Sequence, residues 1–263
     1  MVQVDILKEL ESAKVLELLK TGKRMDGRKL DEYRTISVST NVSENANGSS
    51  RVRLGKTDVI AGTKFVMGTP YPDSPSEGSI SVGAELTPLA SPDFEAGPPK
   101  PAEVELARVV DRAIRESHCI DLNSLCLEEG EKAIVLYIDL YAINDDGNLL
   151  DASSMAALSA LNNTRFPKLE NNEIVLGEYN GMLSLSAQPL LSTVVKAGNQ
   201  ILVDASAGEE KGMYARFSFG STEKGILTAF QKGGHGSFTI AELEKSIEMG
   251  LQNAKKVRKL LKV

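Results

Sequence analysis

Residues 134–162 read IVLYIDLYAINDDGNLLDASSMAALSALN and contain the features that decide the fold. The segment Ile134–Ile143 is typical of a buried strand, the small-residue segment Ser153–Asn162 predicts a helix, and Asp145–Asp151 forms the turn between them. Because backbone amides at a helix start attract anions, this frame suits a phosphate cradle. Its charge does not suit one, since the stretch contains no Arg or Lys and the turn carries three Asp residues.

The composition is that of a soluble globular protein. The chain has 263 residues, of which 41% are hydrophobic and 25% charged, enough for one large domain or two of moderate size. No apolar run is long enough to span a bilayer, and the N-terminus lacks the pattern of a signal peptide, so we expect a cytoplasmic protein without membrane contact. The net charge of −6 argues against nonspecific coating of nucleic acid, so RNA contact would need a local basic patch.

Cysteine and histidine are too sparse for a metal or nucleophilic site. The chain contains only Cys119 and Cys126, with His118 and His235. This spacing is not that of zinc ligands, and it indicates neither a disulfide framework nor Cys/His catalysis. We therefore expect no metal and no cofactor.

Short strands alternate with a few helices along the chain. Predicted helices cover Val4–Lys20, which ends at a Gly22 C-cap, and Ala102–Ser117. A capping box at Thr239–Glu242 starts a last helix that runs to about Leu261. The predicted strands are Ile36–Val42, 51–54, Val59–Met67, Ser79–Thr87, Leu125–Leu127, Ala133–Ile143, Ile174–Leu176, Leu183–Leu185, Leu190–Val195, Gln200–Val203, Ala215–Phe219 and Gly225–Gln231. Without a strict βαβ rhythm, this order predicts an α+β fold with mixed sheets.

The chain divides most naturally between about Phe166 and Gly181, where Pro167 and two asparagines interrupt the pattern. We expect an N-terminal helical extension over residues 1–22, a first domain over 23–166, and a second domain over 167–263 that ends in the last helix.

Five segments, in this order, resemble the RNase PH superfamily of phosphorolytic exoribonucleases, and within it the non-catalytic RNase PH-like subunits of the archaeal exosome. The segments are Arg24–Arg28 (RMDGR), Gly55–Ala61 (GKTDVIA), Glu105–Arg112 (ELARVVDR), Ile138–Leu140 (IDL) and Asp146–Ala152 (DGNLLDA). The resemblance implies an RNase PH fold and a hexameric ring, a trimer of heterodimers with a catalytic RNase PH-like subunit. It also implies RNA-binding cap proteins on one face and single-stranded RNA as substrate of the complex.

The resemblance also implies that this chain has no catalytic residues. Active members carry Asp-Gly-Gly-(Thr/Ser)-Arg where this chain has Asp146-Gly147-Asn148-Leu149-Leu150, so Leu150 occupies the position of the phosphate-binding arginine. The guanidinium charge and its donors are lost, and Asp151 adds the wrong sign. The stretch Asn180–Ser186, which corresponds to the family's Asp-rich segment, contains no acid. Glu173 and Glu178 lie nearby and are expected on the surface.

The helix Ala102–Ser117 presents a basic stripe. At 100° per residue Arg108, Arg112 and Arg115 share one face, and the resemblance implies RNA contact there. The predicted buried side consists of Val104, Ala107, Val110 and Ile114. The alternative is ordinary helix salt bridges with Glu105, Asp111 and Glu116, which have i±3 and i±4 spacing.

Three other groups favour structural roles. Arg24 and Arg28 flank Asp26-Gly27, which favours local Asp–Arg pairing. The basic residues of 255–262 suit the C-terminal end of a helix and a solvated face. The glycines of 233–236 lack the Lys-Ser/Thr of a P-loop and indicate a turn before a helix.

The main hypothesis is a ring subunit that shapes its partner's active site and guides RNA to it. Two alternatives remain open: a phosphorolytic enzyme with a diverged site, and a free-standing adaptor without RNA contact.

Overall fold

The N-terminal helix packs on the second half of the chain. The computed structural model describes residues 6–261, and its first helix, α1, covers Ile6–Lys20. Val15 and Leu19 are buried in a cluster with strand residues of the second half. Gly22 adopts a φ of 73°, which favours glycine, so the predicted C-cap is confirmed. Val4, the predicted first residue of the helix, lies outside the described residues.

The described chain mixes helices and strands, and the predicted α+β class is confirmed. The other helices are α2 (Pro101–Arg115), α3 (Leu149–Asn162), α4 (Ala207–Lys211) and α5 (Ile240–Leu261). The strands of the first half are β1 (Ile36–Thr40), β2 (Gly48–Leu54), β3 (Thr57–Gly68), β4 (Ser79–Leu86), β5 (Cys126–Glu128) and β6 (Lys132–Asn144). Those of the second half are β7 (Arg165–Glu170), β8 (Glu173–Met182), β9 (Leu190–Ala197), β10 (Gln200–Val203), β11 (Ala215–Ser221) and β12 (Leu227–Gly233).

The first sheet is mixed, as predicted. Its strand order is β1-β2-β3-β6-β4, with β5 paired to β6. The pairs are antiparallel except β4 with β6, which run parallel. Parallel neighbours need a long crossover connection, and here α2 lies within that connection and packs on β4.

The second sheet has the order β10-β9-β11-β12, and its pairs are antiparallel. Strands β7 and β8 form a separate two-stranded antiparallel sheet. In the sequence they come after the strands of the first sheet and before those of the second. The side chains of β8 are mostly exposed.

Helix α3 is the centre of the core. It contacts β2 and β3 of the first sheet and β9 of the second, and almost all of its residues are buried. Its small side chains permit close approach: a Cβ built on Gly48 would lie 2.6 Å from the carbonyl oxygen of Ala160. The small-residue composition of α3 therefore places both sheets against one helix.

Helix α3 begins earlier than predicted. Its first residue is Leu149 rather than Ser153, because Asn148 adopts the left-handed conformation and turns the chain into the helix. Leu150 and Asp151 consequently lie in the first turn of the helix, where it faces the core, and not in the connection before the helix.

The region after β7 also differs from the prediction. Leu183–Leu185 is not a strand, since the amide of Leu183 donates to the carbonyl oxygen of Thr164, outside any ladder. Strand β7 was not predicted because Pro167 lies within it, and α4 because it has only five residues.

Candidate functional site

The turn after β6 is held in place by a side-chain hydrogen bond and by close backbone packing. Asp145 Oδ1 accepts a hydrogen bond from the amide of Gly147 at 2.9 Å. Gly147 has a φ of 84°, and a Cβ there would lie 2.6 Å from the carbonyl oxygen of Ala205. Only glycine combines this conformation with this proximity. The turn is therefore fixed against the second half of the chain.

Leu150 closes the position where the resemblance implies an arginine. Its side chain is only 5% exposed and belongs to the main hydrophobic core. It borders a cavity of about 170 Å³, whose apolar wall also includes Phe94 and Leu106. The wall of the cavity is therefore apolar at the position where the resemblance implies a phosphate-binding arginine.

The polar wall of the same cavity is acidic. Glu210 accepts a hydrogen bond from the amide of Asn148 at 2.9 Å, and burial raises the pKa of Glu210 to about 7. Burial also raises the pKa of Asp145. The cavity contains one guanidinium, that of Arg216, which is paired with Glu105 at 2.7 Å. The described residues of the cavity therefore offer a phosphate no unpaired cation.

Arg34 binds the underside of the turn, a contact that sequence reasoning missed. Its Nη1 donates to the carbonyl oxygen of Asp146 at 2.7 Å and its Nη2 to that of Gly147 at 3.0 Å. The same guanidinium forms an ion pair with the buried Asp204 at 2.7 Å. These contacts engage both terminal nitrogens of Arg34 in holding the turn.

Asp151 serves as a buried structural acceptor. Its Oδ2 accepts hydrogen bonds from the hydroxyl of Tyr33, from Asn148 Nδ2 at 3.0 Å and from the amide of Thr193 at 3.1 Å. Burial raises the pKa of Asp151 to about 6. The residue joins α3 to β9 and to the segment before β1.

The stretch Asn180–Ser186 supplies no carboxylate. It covers the end of β8 and the loop that follows, and most of its residues are exposed. Glu173 and Glu178 are surface residues, as predicted, and pair with Lys132 at 3.1 Å and Lys168 at 2.8 Å.

The buried face of α2 differs from the prediction. Val110 and Ile114 are buried, but Val104 is 45% exposed and Ala107 only partly covered. Leu106, Val109 and Ala113 complete the buried face. The helix is rotated because it packs between β4 and the second sheet, which the sequence of the helix alone does not specify.

The three arginines of α2 differ in their surroundings. Arg108 is exposed, with no ion pair or hydrogen bond from its side chain within the described residues, beside a groove that also holds Glu85 and Asp139. Arg112 donates to Gln231 Oε1 at 2.8 Å. Arg115 pairs with Asp111 at 2.8 Å.

The ion pair of Arg115 is the i,i+4 salt bridge of the alternative interpretation, and Arg115 also donates to the carbonyl oxygen of Ile80 at 2.9 Å. RNA contact by any of the three arginines stays a prediction. Among the described residues, the guanidinium of Arg108 has no hydrogen-bond partner, whereas that of Arg115 contacts both Asp111 and Ile80.

The basic residues near the N-terminus have structural partners. Arg28 pairs with Asp26 at 2.7 Å, which confirms the predicted local pairing. The predicted local pairing is wrong for Arg24, which is buried and pairs with Glu209 at 2.6 Å, 185 residues away. The predicted solvated face at the C-terminus is wrong for Arg258, which is 6% exposed and donates to the carbonyl oxygen of Gln188. Its position depends on the second sheet, against which α5 packs.

Residues 6–261 contain neither a membrane-spanning helix nor a cluster of metal ligands. No helix there is both long and apolar enough to cross a membrane. No group of three or more His, Cys, Asp or Glu side chains in this range is placed to hold a metal ion.

The sequence matches the 3' exoribonuclease family in two parts. Residues 32–167 match domain 1 of that family, and residues 187–253 match domain 2.

Curated relatives match over nearly the whole chain. A protein of Methanopyrus kandleri described as "Exosome complex component Rrp42" is 44% identical over 262 residues, covering 98% of each chain. The Rrp42 protein of Thermococcus kodakarensis is 41% identical, covering 100% of this chain and 98% of the relative.

Solved structures match as well. A chain of the structure described as "archaeoglobus fulgidus exosome with RNA bound to the active site" superposes with a TM-score of 0.91 at 42% identity, covering 97% of this chain and 99% of that one. A chain of an "Archaeal exosome core" gives a TM-score of 0.87 at 37% identity, covering 98% and 99%.

Proposed function

Because this chain belongs to the 3' exoribonuclease family, we propose that it is a non-catalytic ring subunit of an archaeal exosome, a complex that degrades RNA from 3' to 5' by phosphorolysis. Relatives that match it from end to end are described as exosome components, and two solved exosome chains share its fold at TM-scores of 0.91 and 0.87. In this proposal the chain alternates with a catalytic RNase PH-like subunit in a hexameric trimer of heterodimers. RNA-binding cap proteins sit on one face of the ring.

The buried Leu150 carries the proposal that the chain is inactive. Phosphorolysis brings inorganic phosphate to an RNA phosphodiester, so two anions must be neutralised and oriented. Leu150 is 5% exposed at the position of the phosphate-binding arginine. The neighbouring Asp145 and Glu210 offer an anion no positive charge, and Arg216 is already paired. Loss of one such donor typically lowers the rate by about 10²–10³.

The role that remains is to position the partner and the RNA. The proposed division is an N-terminal extension over 1–22, a first domain over 23–166 and a second over 167–263. RNA contact is assigned first to Arg108, whose guanidinium is free within the described residues, and then to Arg112, whose partner Gln231 is neutral. Arg115 is a weaker candidate because RNA would have to compete with Asp111.

Assembly and activity are tested together. The purified chain, the catalytic partner and the co-assembled complex are each incubated with RNA in phosphate buffer, and released nucleoside diphosphates are measured. We expect none from the chain alone and robust release from the complex. Release by the chain alone would contradict inactivity. A stable monomer beside the catalytic partner in native mass spectrometry would contradict the ring role.

RNA contact is tested in the assembled complex with Arg108→Glu and Arg112→Glu together. Each phosphate contact to a single strand contributes about 0.7 to the slope of log affinity against log salt. We expect weaker RNA binding and a slope shallower by about 1.4. The matched control is Lys245→Glu with Lys256→Glu, two exposed residues of α5 with the same charge change. Equal slopes in both double variants would remove the α2 stripe from the RNA path.

A further inference from the structure

We propose that the groove between the β11–β12 turn and α5 binds a phosphate group. This groove, called here the α5 groove, has a volume of about 400 Å³ and includes Lys224 of the turn with Lys255, Arg258 and Lys259 of α5. The proposal goes beyond the ring function above, in which RNA contact is assigned to α2. It depends on the charges of the α5 groove alone.

The buried Arg258 is the first observation. The residue is 6% exposed, and its acceptors are neutral: Nε donates to the carbonyl oxygen of Gln188 at 2.8 Å, and Nη2 to the carbonyl and hydroxyl oxygens of Ser221. Within residues 6–261 no carboxylate forms an ion pair with Arg258. A buried cation without a counter-ion in contact is unfavourable. Burial lowers the pKa of Arg258, and Glu223, which lies beyond ion-pair distance, opposes this shift. An anion in the α5 groove would supply the missing partner.

The rim of the α5 groove is the second observation. Lys255 and Lys259 are one helical turn apart, so their like charges repel each other, and Lys224 faces them from the turn. All three are exposed, and none of them forms an ion pair in the part of the chain that the structure describes. A protein with a net charge of −6 thus keeps three unpaired cations around one cavity.

One carboxylate, that of Glu223, also borders the α5 groove. Its Oε2 accepts a hydrogen bond from the amide of Gln188 at 2.7 Å, so Glu223 is held by the backbone on which Arg258 also rests. Four cations against this single carboxylate leave the groove strongly positive.

A phosphate group fits this set of donors. A guanidinium offers a planar fork and lysines offer mobile point charges, and both bind phosphate oxygens in proteins. The Nη1 of Arg258 has no protein acceptor among the described residues and is left for such a ligand. The phosphate has two sources, free inorganic phosphate or the phosphodiester backbone of single-stranded RNA.

The test uses the full chain with Lys255→Gln and Lys259→Gln together. Both residues are exposed, so we expect the variant to fold, as checked by its Tm in chloride buffer. The matched control is Lys245→Gln with Lys256→Gln, on the same helix but outside the α5 groove. Two probes are used: inorganic phosphate, titrated at constant ionic strength, and a single-stranded RNA oligonucleotide, titrated over a range of salt concentrations.

If the site takes free phosphate, the groove variant binds inorganic phosphate at least about tenfold more weakly than the wild type and the control. If it takes the RNA backbone, the salt slope of RNA binding becomes shallower by about 1.4 in the groove variant only. Equal behaviour of groove variant and control with both probes would overturn the proposal. Failure of the ring function would instead appear in the co-assembly experiment and would leave these titrations unchanged.

Discussion

Replacing Arg24 with alanine is expected to destabilise the protein strongly. The guanidinium of Arg24 forms two hydrogen bonds with Glu209, from Nε at 2.8 Å and from Nη2 at 2.6 Å. The side chains of this pair are 0% and 3% exposed. Arg24 also donates to the carbonyl oxygens of Val203 at 3.0 Å and Asp204 at 2.7 Å. The substitution therefore removes the counter-ion of the buried Glu209 carboxylate and one donor to the carbonyl oxygen of Val203. The carbonyl oxygen of Asp204 keeps a hydrogen bond from Arg28 Nη2 at 3.2 Å.

The expected cost is about 4 kcal/mol of unfolding free energy, because removal of one partner of a buried ion pair typically costs about 3–5 kcal/mol. For a chain of this size that corresponds to a fall in Tm of roughly 8–16 °C. The matched control is Arg53→Ala. Arg53 pairs with Asp58 at 3.0 Å, but its side chain is 55% exposed, so its loss should cost about 0–1 kcal/mol.

Urea unfolding of both variants, followed by circular dichroism, measures the two costs. A double-mutant cycle with Glu209→Ala then isolates the coupling energy between the two residues. The reasoning is refuted if Arg24→Ala costs no more than Arg53→Ala, or if the coupling is close to zero. Either result would mean that the N-terminal segment is not anchored through this pair.

Three further predictions concern the turn and the cavity. Burial raises the pKa of Asp151 to about 6 and of Glu210 to about 7, so the folded state holds protons that the unfolded state releases, and stability should fall as pH rises from about 4 to 7. In urea titrations, the unfolding free energy of Asp151→Asn should fall less between about pH 4 and 7 than that of the wild type, by up to about 3 kcal/mol. The same pH profile in both proteins would contradict this. Gly147→Ala should lower Tm far more than Gly177→Ala, since both have positive φ but only Gly147 is crowded; equal losses would refute the proximity reasoning. Leu150→Arg should lower Tm and release no nucleoside diphosphate from RNA, because Asn180–Ser186 still lacks an acid; measurable release would show that one arginine suffices.

The composition of the candidate site was predictable from the sequence. The acid-free stretch Asn180–Ser186 is read directly from the residues, and the resemblance implies that Leu150 occupies an arginine position. The structure adds that Leu150 is buried and that Asp151 is a hydrogen-bond acceptor inside the core. The helix boundary was misplaced because a left-handed Asn148 starts α3, and this conformation has no sequence signal beyond the Asp-Gly-Asn turn.

The orientation of α2 in the fold was only partly predictable from the sequence. The spacing of Arg108, Arg112 and Arg115 on one face follows from helical periodicity. Which apolar face is buried depends on where β4 and the second sheet lie, so Val104 was wrongly expected in the core.

The sequence by itself determined the fold class and the main helices and strands, since periodicity is local. That Leu150 stands at the position of an arginine stays what the family resemblance implies. Only the tertiary structure decided which charged side chains form ion pairs and hydrogen bonds and which remain unpaired. Arg34 contacts a turn 112 residues away, and Arg24 pairs with a glutamate 185 residues away. Arg258 is buried against a backbone carbonyl group and forms no ion pair within the described residues. Such long-range contacts depend on how the sheets pack around α3, and that packing is a property of the whole chain.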